Sequence, residues 1–388
     1  MPHPFDQLEQ ETLREKNCMK WQRYENDVLP LWVADMDFPI AEPIRESLLT
    51  YAQGDNFGYP KPEGLPGLKE AVQARLSERY GWTIEPGDIH LINGIVPGLY
   101  LGALALAGPG EEVMIHTPMY PPFMMAIKDM GRTPLYSQLI FTGDDWQIDF
   151  DKMEAQLTPA TRLMMLCNPH NPSGRVFRRE ELERLAGFAL RHRLWVVSDE
   201  LHSDLTYEGH EHIPFASLSE EVAERTVTLY GPTKTFNIAG LKIGFLIAQN
   251  RPLLGRMKEV AGYLVAPPNV MAQTATMAAY ERSQDWYESM MGYLDDNRRF
   301  VHTFLDEHLP QVKHMTPEGT YLSFMDFSAL DVGKDLYDFL LEDCKVGLND
   351  GPAYGPGGEG FTRLNFATSR AIVEEALQRV KRGVEQRV

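Results

Sequence analysis

Cysteine is scarce in this chain, basic charge is outweighed, and long apolar runs are missing. Only Cys18, Cys167 and Cys344 occur, far apart and odd in number, with neither a disulfide framework nor metal-ligand spacing. That usage suits a reducing compartment and predicts a cytoplasmic protein. No stretch approaches the roughly 20 apolar residues of a membrane helix. Met1 to Gln10 carry no basic region and no apolar core, so no signal peptide is expected. Lys and Arg number 37 against 55 Asp and Glu, a net charge of −18. Such a balance argues against nucleic acid or an anionic membrane as partner. It leaves room for a small anionic ligand, which needs only local cations and backbone N–H groups. Internal repeats, charge blocks and low-complexity tails are also missing.

What is present is ordinary globular material: 388 residues, 43% hydrophobic and 10% aromatic, enough for a large domain and a smaller one. After a polar N-terminal arm, Val28 to Ala34 reads as a short extended segment and 41–52 as a helix. Asp35 and Asp37 lack further carboxylate or His neighbours, so they read as turn residues and no metal site is expected. Leu65, Leu68, Val72 and Leu76 keep helical spacing up to Gly81. Ile89–Ile92 is a strand, Asn93–Gly98 a tight turn and 99–107 a small-residue helix. From there strands near 113–115, 163–167, 194–197, 226–230 and 243–248 alternate with helices near 124–130 and 182–189. Alternation of that kind predicts an α/β fold with a mostly parallel sheet. Helical patterns fill 270–309, where Trp286, Tyr287, Met290, Tyr293 and Leu294 read as a packing stripe. A strand at 320–327, a helix near 334–344, a Gly-rich loop at 351–360 and a strand at 361–366 follow. The expected division is a large domain over 50–285 and a small one from 1–49 with 286–388.

The polar residues fall in a regular place. Asn168 to Asn171, Asp199 to His202, and Lys234 all lie just past the carboxyl ends of apolar strands, the edge where open α/β sheets bind ligands. Lys234 is the most telling of them. A loop lysine is ordinarily solvated, but one held out of water loses basicity and can form a Schiff base with a carbonyl cofactor. A pyridoxal phosphate site needs such a lysine, an acid against the pyridine nitrogen, donors to the ring oxygen, a nest for the phosphate and an arginine for the substrate carboxylate. Lys234, Asp199, Asn171 with His202, the Asn93–Gly98 turn and Arg363 offer those groups in turn. The phosphate turn alone is weak, since any strand–helix connection resembles it.

Several stretches are also familiar in kind and order: Leu29-Pro-Leu-Trp-Val-Ala-Asp-Met-Asp-Phe38, Phe57-Gly-Tyr59, His116-Thr-Pro-Met-Tyr-Pro-Pro-Phe123, Asn168-Pro-His-Asn-Pro-Ser-Gly174, Val197-Ser-Asp-Glu-Leu-His202, Thr233-Lys-Thr-Phe-Asn237, Glu318-Gly-Thr-Tyr321 and Phe361-Thr-Arg-Leu-Asn365. Over nearly its whole length the chain resembles fold-type I pyridoxal-phosphate enzymes of the class I/II aminotransferase superfamily. Within them it is most similar to the MalY/PatB group of cystathionine β-lyase-like carbon–sulfur lyases.

The resemblance implies an aspartate aminotransferase-like fold, a mostly parallel sheet in the large domain beside a smaller α+β domain. It implies that Lys234 is the Schiff-base lysine and proton shuttle, and Asp199 the pyridinium partner. Asn171 would hold the ring oxygen, with His202 where many aminotransferases have Tyr, and Tyr120 would stack on the ring. Gly94, Ile95, Val96 and Thr233 would cradle the phosphate, aided by Lys242. Arg363 would bind the α-carboxylate, with Ala34 and Tyr59 also at the substrate. Tyr59 would reach across a homodimer interface to the partner's cofactor. Two departures stand out: Gly231 replaces a common Ser, and Lys242 replaces a common Arg, keeping charge but losing the fork. The implied reaction is β-elimination of a thiol from cystathionine or a related cysteine S-conjugate, a small-molecule amino-acid substrate. An aminotransferase would use the same lysine, and some members of the group also bind a transcription factor; the residues separate these readings poorly.

Overall fold

The computed structural model describes residues 3–262 and 264–387. Its largest sheet has seven strands: β1 (Ile89–Ile92), β2 (Glu112–Thr117), β3 (Thr133–Gln138), β4 (Thr161–Cys167), β5 (Trp195–Asp199), β6 (Thr226–Tyr230) and β7 (Gly244–Ile247). They lie in the order β1-β7-β6-β5-β4-β2-β3. Only β7 runs against its neighbours, so the sheet is mostly parallel as expected. All five residues of β6, Thr-Val-Thr-Leu-Tyr, are buried, because helices cover both faces of a parallel sheet and leave no wet side.

A one-turn helix, α1 (Met19–Gln22), lies in the N-terminal arm, followed by α2 (Glu42–Gln53), α3 (Leu68–Tyr80) and α4 (Ile95–Leu106). Gly81 ends α3 in a left-handed C-cap with φ 63°, a conformation that costs glycine nothing. Helix α4 begins at Ile95, four residues before the expected start. Pro97 is no obstacle there, since a first-turn residue has no intrahelical N–H bond to lose. The helix also sits unusually close to the sheet. A Cβ on Gly98 would lie 2.7 Å from a Leu229 methyl, and one on Gly102 2.7 Å from a Val197 methyl.

Next come α5 (Pro121–Asp129), which opens on two prolines, and α6 (Arg179–Arg191). Helix α6 buries Leu182, Leu185, Ala186, Phe188 and Ala189 on one face, with Glu180 and Glu181 in its first turn and Arg191 in its last, as the helix dipole favours. Helices α7 (Arg251–Ala261), α8 (Val270–Arg282), α9 (Gln284–His308) and α10 (Arg370–Glu385) complete the set used below. Tyr287, Met290, Tyr293 and Leu294 are buried and Trp286 partly so, which makes the stripe on α9 packing.

The second sheet is antiparallel: β8 (Lys313–His314), β9 (Leu322–Asp326), β10 (Asn349–Asp350) and β11 (Phe361–Asn365), in the order β8-β9-β11-β10. Arg363 therefore lies on an inner strand, opposite Phe324 on one side and Asn349 on the other.

Some elements differ from expectation. Edge strand β3 and helices α7 and α10 carried no reading of their own. The helix near 334–344 is a short α turn, Leu336–Asp338, continued by a π turn, Phe339–Asp343. Asp37 is not a solvated turn residue. Its carboxylate is buried, accepting 2.7 Å bonds from Lys20 Nζ and Trp21 Nε1. Both donors lie in the arm, beyond any local window around Asp37.

Candidate active site

A cavity of about 580 Å³ opens at the carboxyl edge of the parallel strands, between the two sheets. Every parallel strand except edge strand β3 delivers residues there, because its apolar residues are committed to the core and its first free residues emerge at that edge. Asn93 to Val96 follow β1, Asn171 follows β4, Asp199 ends β5 with His202 just beyond, and Thr233 and Lys234 follow β6. Tyr120 stands at the head of α5, Ala34 comes from the N-terminal segment, and Arg363 projects from β11. Lys242 lines the same space. Every residue expected at the cofactor or substrate is thus gathered at one cavity, except Tyr59. Tyr59 is fully exposed on its turn and does not line this chain's own cavity.

Lys234 Nζ donates to the Ala34 carbonyl at 2.5 Å, and Tyr321 Oη donates to the same oxygen at 3.1 Å. Burial and the nearby Arg363 guanidinium lower the basicity of the Lys234 amine, while Asp35 and Asp199 oppose the shift. Asp199 is buried, and one oxygen accepts the Leu201 N–H at 3.1 Å. Burial pushes its carboxyl up to about 7; neighbouring Glu200 adds to the rise, while the Leu201 bond and Lys234 work against it. Register explains the placement: Asp199 pairs with Cys167 on β4 and Leu229 on β6, so it closes the strand at sheet centre.

His202 is held neutral, its pKa driven down to about 3 by burial and by the Lys234 and Arg363 cations. Its Nδ1 has no partner among the described residues, and the same holds for Asn93 Oδ1 and Arg363 Nε. Buried polar atoms without partners are costly. Three of them around one cavity show a site built for a polar ligand. Arg363 Nη1 donates to Asn171 Oδ1 and Nη2 to the Trp32 carbonyl, both at 2.8 Å.

On the same cavity wall, Gly94 (φ 126°) precedes the first turn of α4, and no side chain among the described residues caps that helix. The N–H groups of its first turn lack intrahelical partners, so the helix start offers donors and a favourable dipole to an anion. Thr233 and Lys242 line the same cavity. Gly231 lies outside the lining, and a Cβ there would come within 3.2 Å of the Ile243 carbonyl oxygen. A side chain there would require that carbonyl to give by a few tenths of an ångström. A buried acid, an amine of lowered basicity and an uncapped helix start lining one cavity together fit a flat heteroaromatic aldehyde bearing a phosphate.

Other wall residues carried no role in the sequence reading. Trp32 and Asn349 sit inside or beside recognisable stretches, so their neighbours could have suggested them. Met19 had no such signal, because the arm holding it has neither motif nor periodicity.

Comparison with known proteins identifies relatives over nearly the whole chain. The family model "Aminotransferase class I and II" matches residues 26–380. Cystathionine beta-lyase PatB of Bacillus subtilis (strain 168) is 41% identical over 360 residues, 92% of each chain. Cystalysin from Treponema denticola, whose crystal structure contains a pyridoxal 5'-phosphate cofactor, superposes with a TM-score of 0.93 at 30% identity, covering 100% of both chains. The PLP-bound C–S lyase from Staphylococcus hominis gives a TM-score of 0.92 at 30% identity, again over 100% of both.

Proposed function

The chain belongs to the class I and II aminotransferase family, and from that premise we propose that it is a pyridoxal-phosphate-dependent carbon–sulfur β-lyase. Its substrate is cystathionine or a related cysteine S-conjugate, and its products are a thiol, pyruvate and ammonia. One observation carries the reading: the Lys234 amine, the Asp199 carboxylate and the Arg363 guanidinium line a single cavity in a chain 41% identical to a cystathionine β-lyase.

Bound here, pyridoxal phosphate supplies an aldehyde carbon for amine exchange and a protonated ring that takes up electron density from the substrate Cα. Asp199 keeps the proton on the ring nitrogen, and its burial makes that pairing strong. Asn171 Nδ2 and His202 would serve the ring oxygen, and Tyr120 would pack against the ring. The N–H groups of Gly94, Ile95 and Val96, with Thr233 and Lys242, would hold the phosphate. Arg363 binds the α-carboxylate and so fixes which Cα bond is aligned for cleavage. Lys234, its basicity lowered by burial, takes the Cα proton at Nζ. The Cα–H electron pair becomes a Cα=Cβ bond while the thiolate leaves with the Cβ–S pair. Water then hydrolyses the freed enamine to pyruvate and ammonia.

A cytoplasmic homodimer with shared active sites belongs to the same proposal. Tyr59 and Phe57 support it, as exposed aromatics on one turn. Among the described residues, no helix is long and apolar enough to cross a membrane.

The deciding experiment supplies cystathionine to the holo-protein with and without a keto acid. Thiol and pyruvate formed at equal rates in both supports the lyase; turnover only with the acceptor overturns it in favour of transamination.

A further inference from the structure

The groups that grip a substrate's near end also locate its distal end. Arg363 is bonded to the Trp32 carbonyl and Lys234 to the Ala34 carbonyl. A substrate held by these two side chains lies beside segment 32–34, which puts the adjoining wall within reach of its S-substituent. There Trp32 and Val33 are joined by Met19 from the N-terminal arm.

Met19 is held in place by its neighbours. Lys20 and Trp21, the next two residues of α1, are buried and donate to opposite oxygens of Asp37 at 2.7 Å. Lys20 Nζ also donates to the Asp35 carbonyl at 3.1 Å, and the Trp32 indole N–H reaches the Lys20 carbonyl at 3.3 Å. Successive helical side chains diverge by about 100°, so with Lys20 and Trp21 turned into the anchor, Met19 is turned out toward the cavity. It is 66% exposed, an apolar side chain on a rigid mount with little protein around it.

Charge is already committed elsewhere. Among the described residues, the charged ones lining the cavity are Asp199, Lys234, Lys242 and Arg363, each with a role at the cofactor or the α-carboxylate. Resting on the lyase reading, we infer that Met19 is a specificity-determining residue that favours uncharged, apolar S-substituents over the zwitterionic distal end of cystathionine. The ammonium and carboxylate at that end would shed water against Met19 and Trp32. There the Arg23 guanidinium is already engaged on the Trp32 ring at 4.2 Å, and among the described residues no lining carboxylate other than Asp199 is present to meet the ammonium. An alkyl or aryl thioether would instead bury apolar area and meet a polarisable sulfur beside an aromatic ring.

The test compares S-benzylcysteine with cystathionine, reading pyruvate release by the holo-protein. The wild type should prefer S-benzylcysteine in kcat/KM, and Met19→Ala should cut that ratio about tenfold, the scale of a lost apolar contact in a specificity pocket. Met19→Leu should restore it. Binding of 3-(benzylthio)propionate, which has the carboxylate and thioether but no amine to react, should weaken about tenfold in Met19→Ala by calorimetry. Pyruvate from both substrates with an unchanged ratio, or a wild type preferring cystathionine, would overturn this inference alone. No pyruvate from either would overturn the lyase reading and this inference with it.

Discussion

Arg363 Nη1 donates to Asn171 Oδ1 at 2.8 Å, tying an inner strand of the small sheet to the turn that follows β4. The bond does two things at once. It commits the acceptor end of the Asn171 amide, which leaves Nδ2 to donate into the cavity. It also sets the plane of the guanidinium, whose Nη2 is fixed on the Trp32 carbonyl. Arg363→Lys keeps the charge but cannot hold both contacts and still present a fork to a carboxylate. We expect kcat/KM for a cysteine conjugate to fall about 100-fold, roughly 3 kcal/mol, the scale of a charge-assisted bond. Steady-state kinetics checks it, and a fall of less than about threefold would remove Arg363 from the carboxylate.

Asp199 gives a pH-dependent signature in protein stripped of cofactor. Burial raises its carboxyl to about 7, whereas a solvated Asp titrates near 3.9. Between those values the folded chain keeps a proton that the unfolded chain has lost, so stability falls as pH rises through the window. The full span is worth roughly 4 kcal/mol. Asp199→Asn cannot ionise. It should match the wild type near pH 4 and exceed it by a few kcal/mol at about pH 7.5 in urea unfolding. A constant difference across that range would mean that the carboxylate ionises there without cost. Added pyridoxal phosphate should stabilise the wild type far more than the variant at about pH 7.5, because only the carboxylate gains from a cationic ring nitrogen.

Tyr59 tests whether a site is shared between subunits. Its side chain is fully exposed and does not line the cavity of its own chain. Tyr59→Ala and Lys234→Ala proteins should each be nearly inactive. Unfolded together and refolded as a mixture, they should recover about one quarter of wild-type activity. In a twofold dimer, half of the mixed population then carries one intact site per dimer. Lys234→Ala protein alone should also show no visible absorbance of a lysine-bound cofactor. No recovery on mixing would place Tyr59 and Lys234 in the same subunit's site or leave Tyr59 without a role.

The parallel strands other than edge strand β3, and their polar turns, were legible in the sequence because both signals are local. An apolar run such as Thr226–Tyr230 followed at once by Gly, Pro and Lys says where a strand stops and what it presents. The antiparallel direction of β7 was not legible, since Gly244–Ile247 is as apolar as its parallel neighbours and periodicity carries no sense of direction. The start of α4 was misplaced because Pro97 reads as a break, whereas in a first turn it is tolerated. At the site, side chains on sheet-edge turns were found and those delivered by the arm were missed. Met19 and Lys20 act only through contacts with residues many positions away, and those contacts exist once the chain has folded.

The buried Lys20–Asp37 pair makes that dependence measurable. Both side chains are almost fully buried, and Trp21 Nε1 occupies the second carboxylate oxygen. Removing only the acid strands an ammonium where water cannot replace its partner, so Asp37→Ala should cost about 3–5 kcal/mol in urea unfolding. Removing both charges while keeping an acceptor for Trp21, as in Lys20→Met with Asp37→Asn, should cost no more than about 2 kcal/mol, because no charge is left buried. Asp37→Ala should also raise KM for S-benzylcysteine more than it lowers kcat, since α1 would lose the anchor that presents Met19 and not the amine that moves the proton. A loss of stability below about 1 kcal/mol would mean that the pair is hydrated in solution, as exposed ion pairs are. The arm would then be a loose strap instead of a fixed wall of the site.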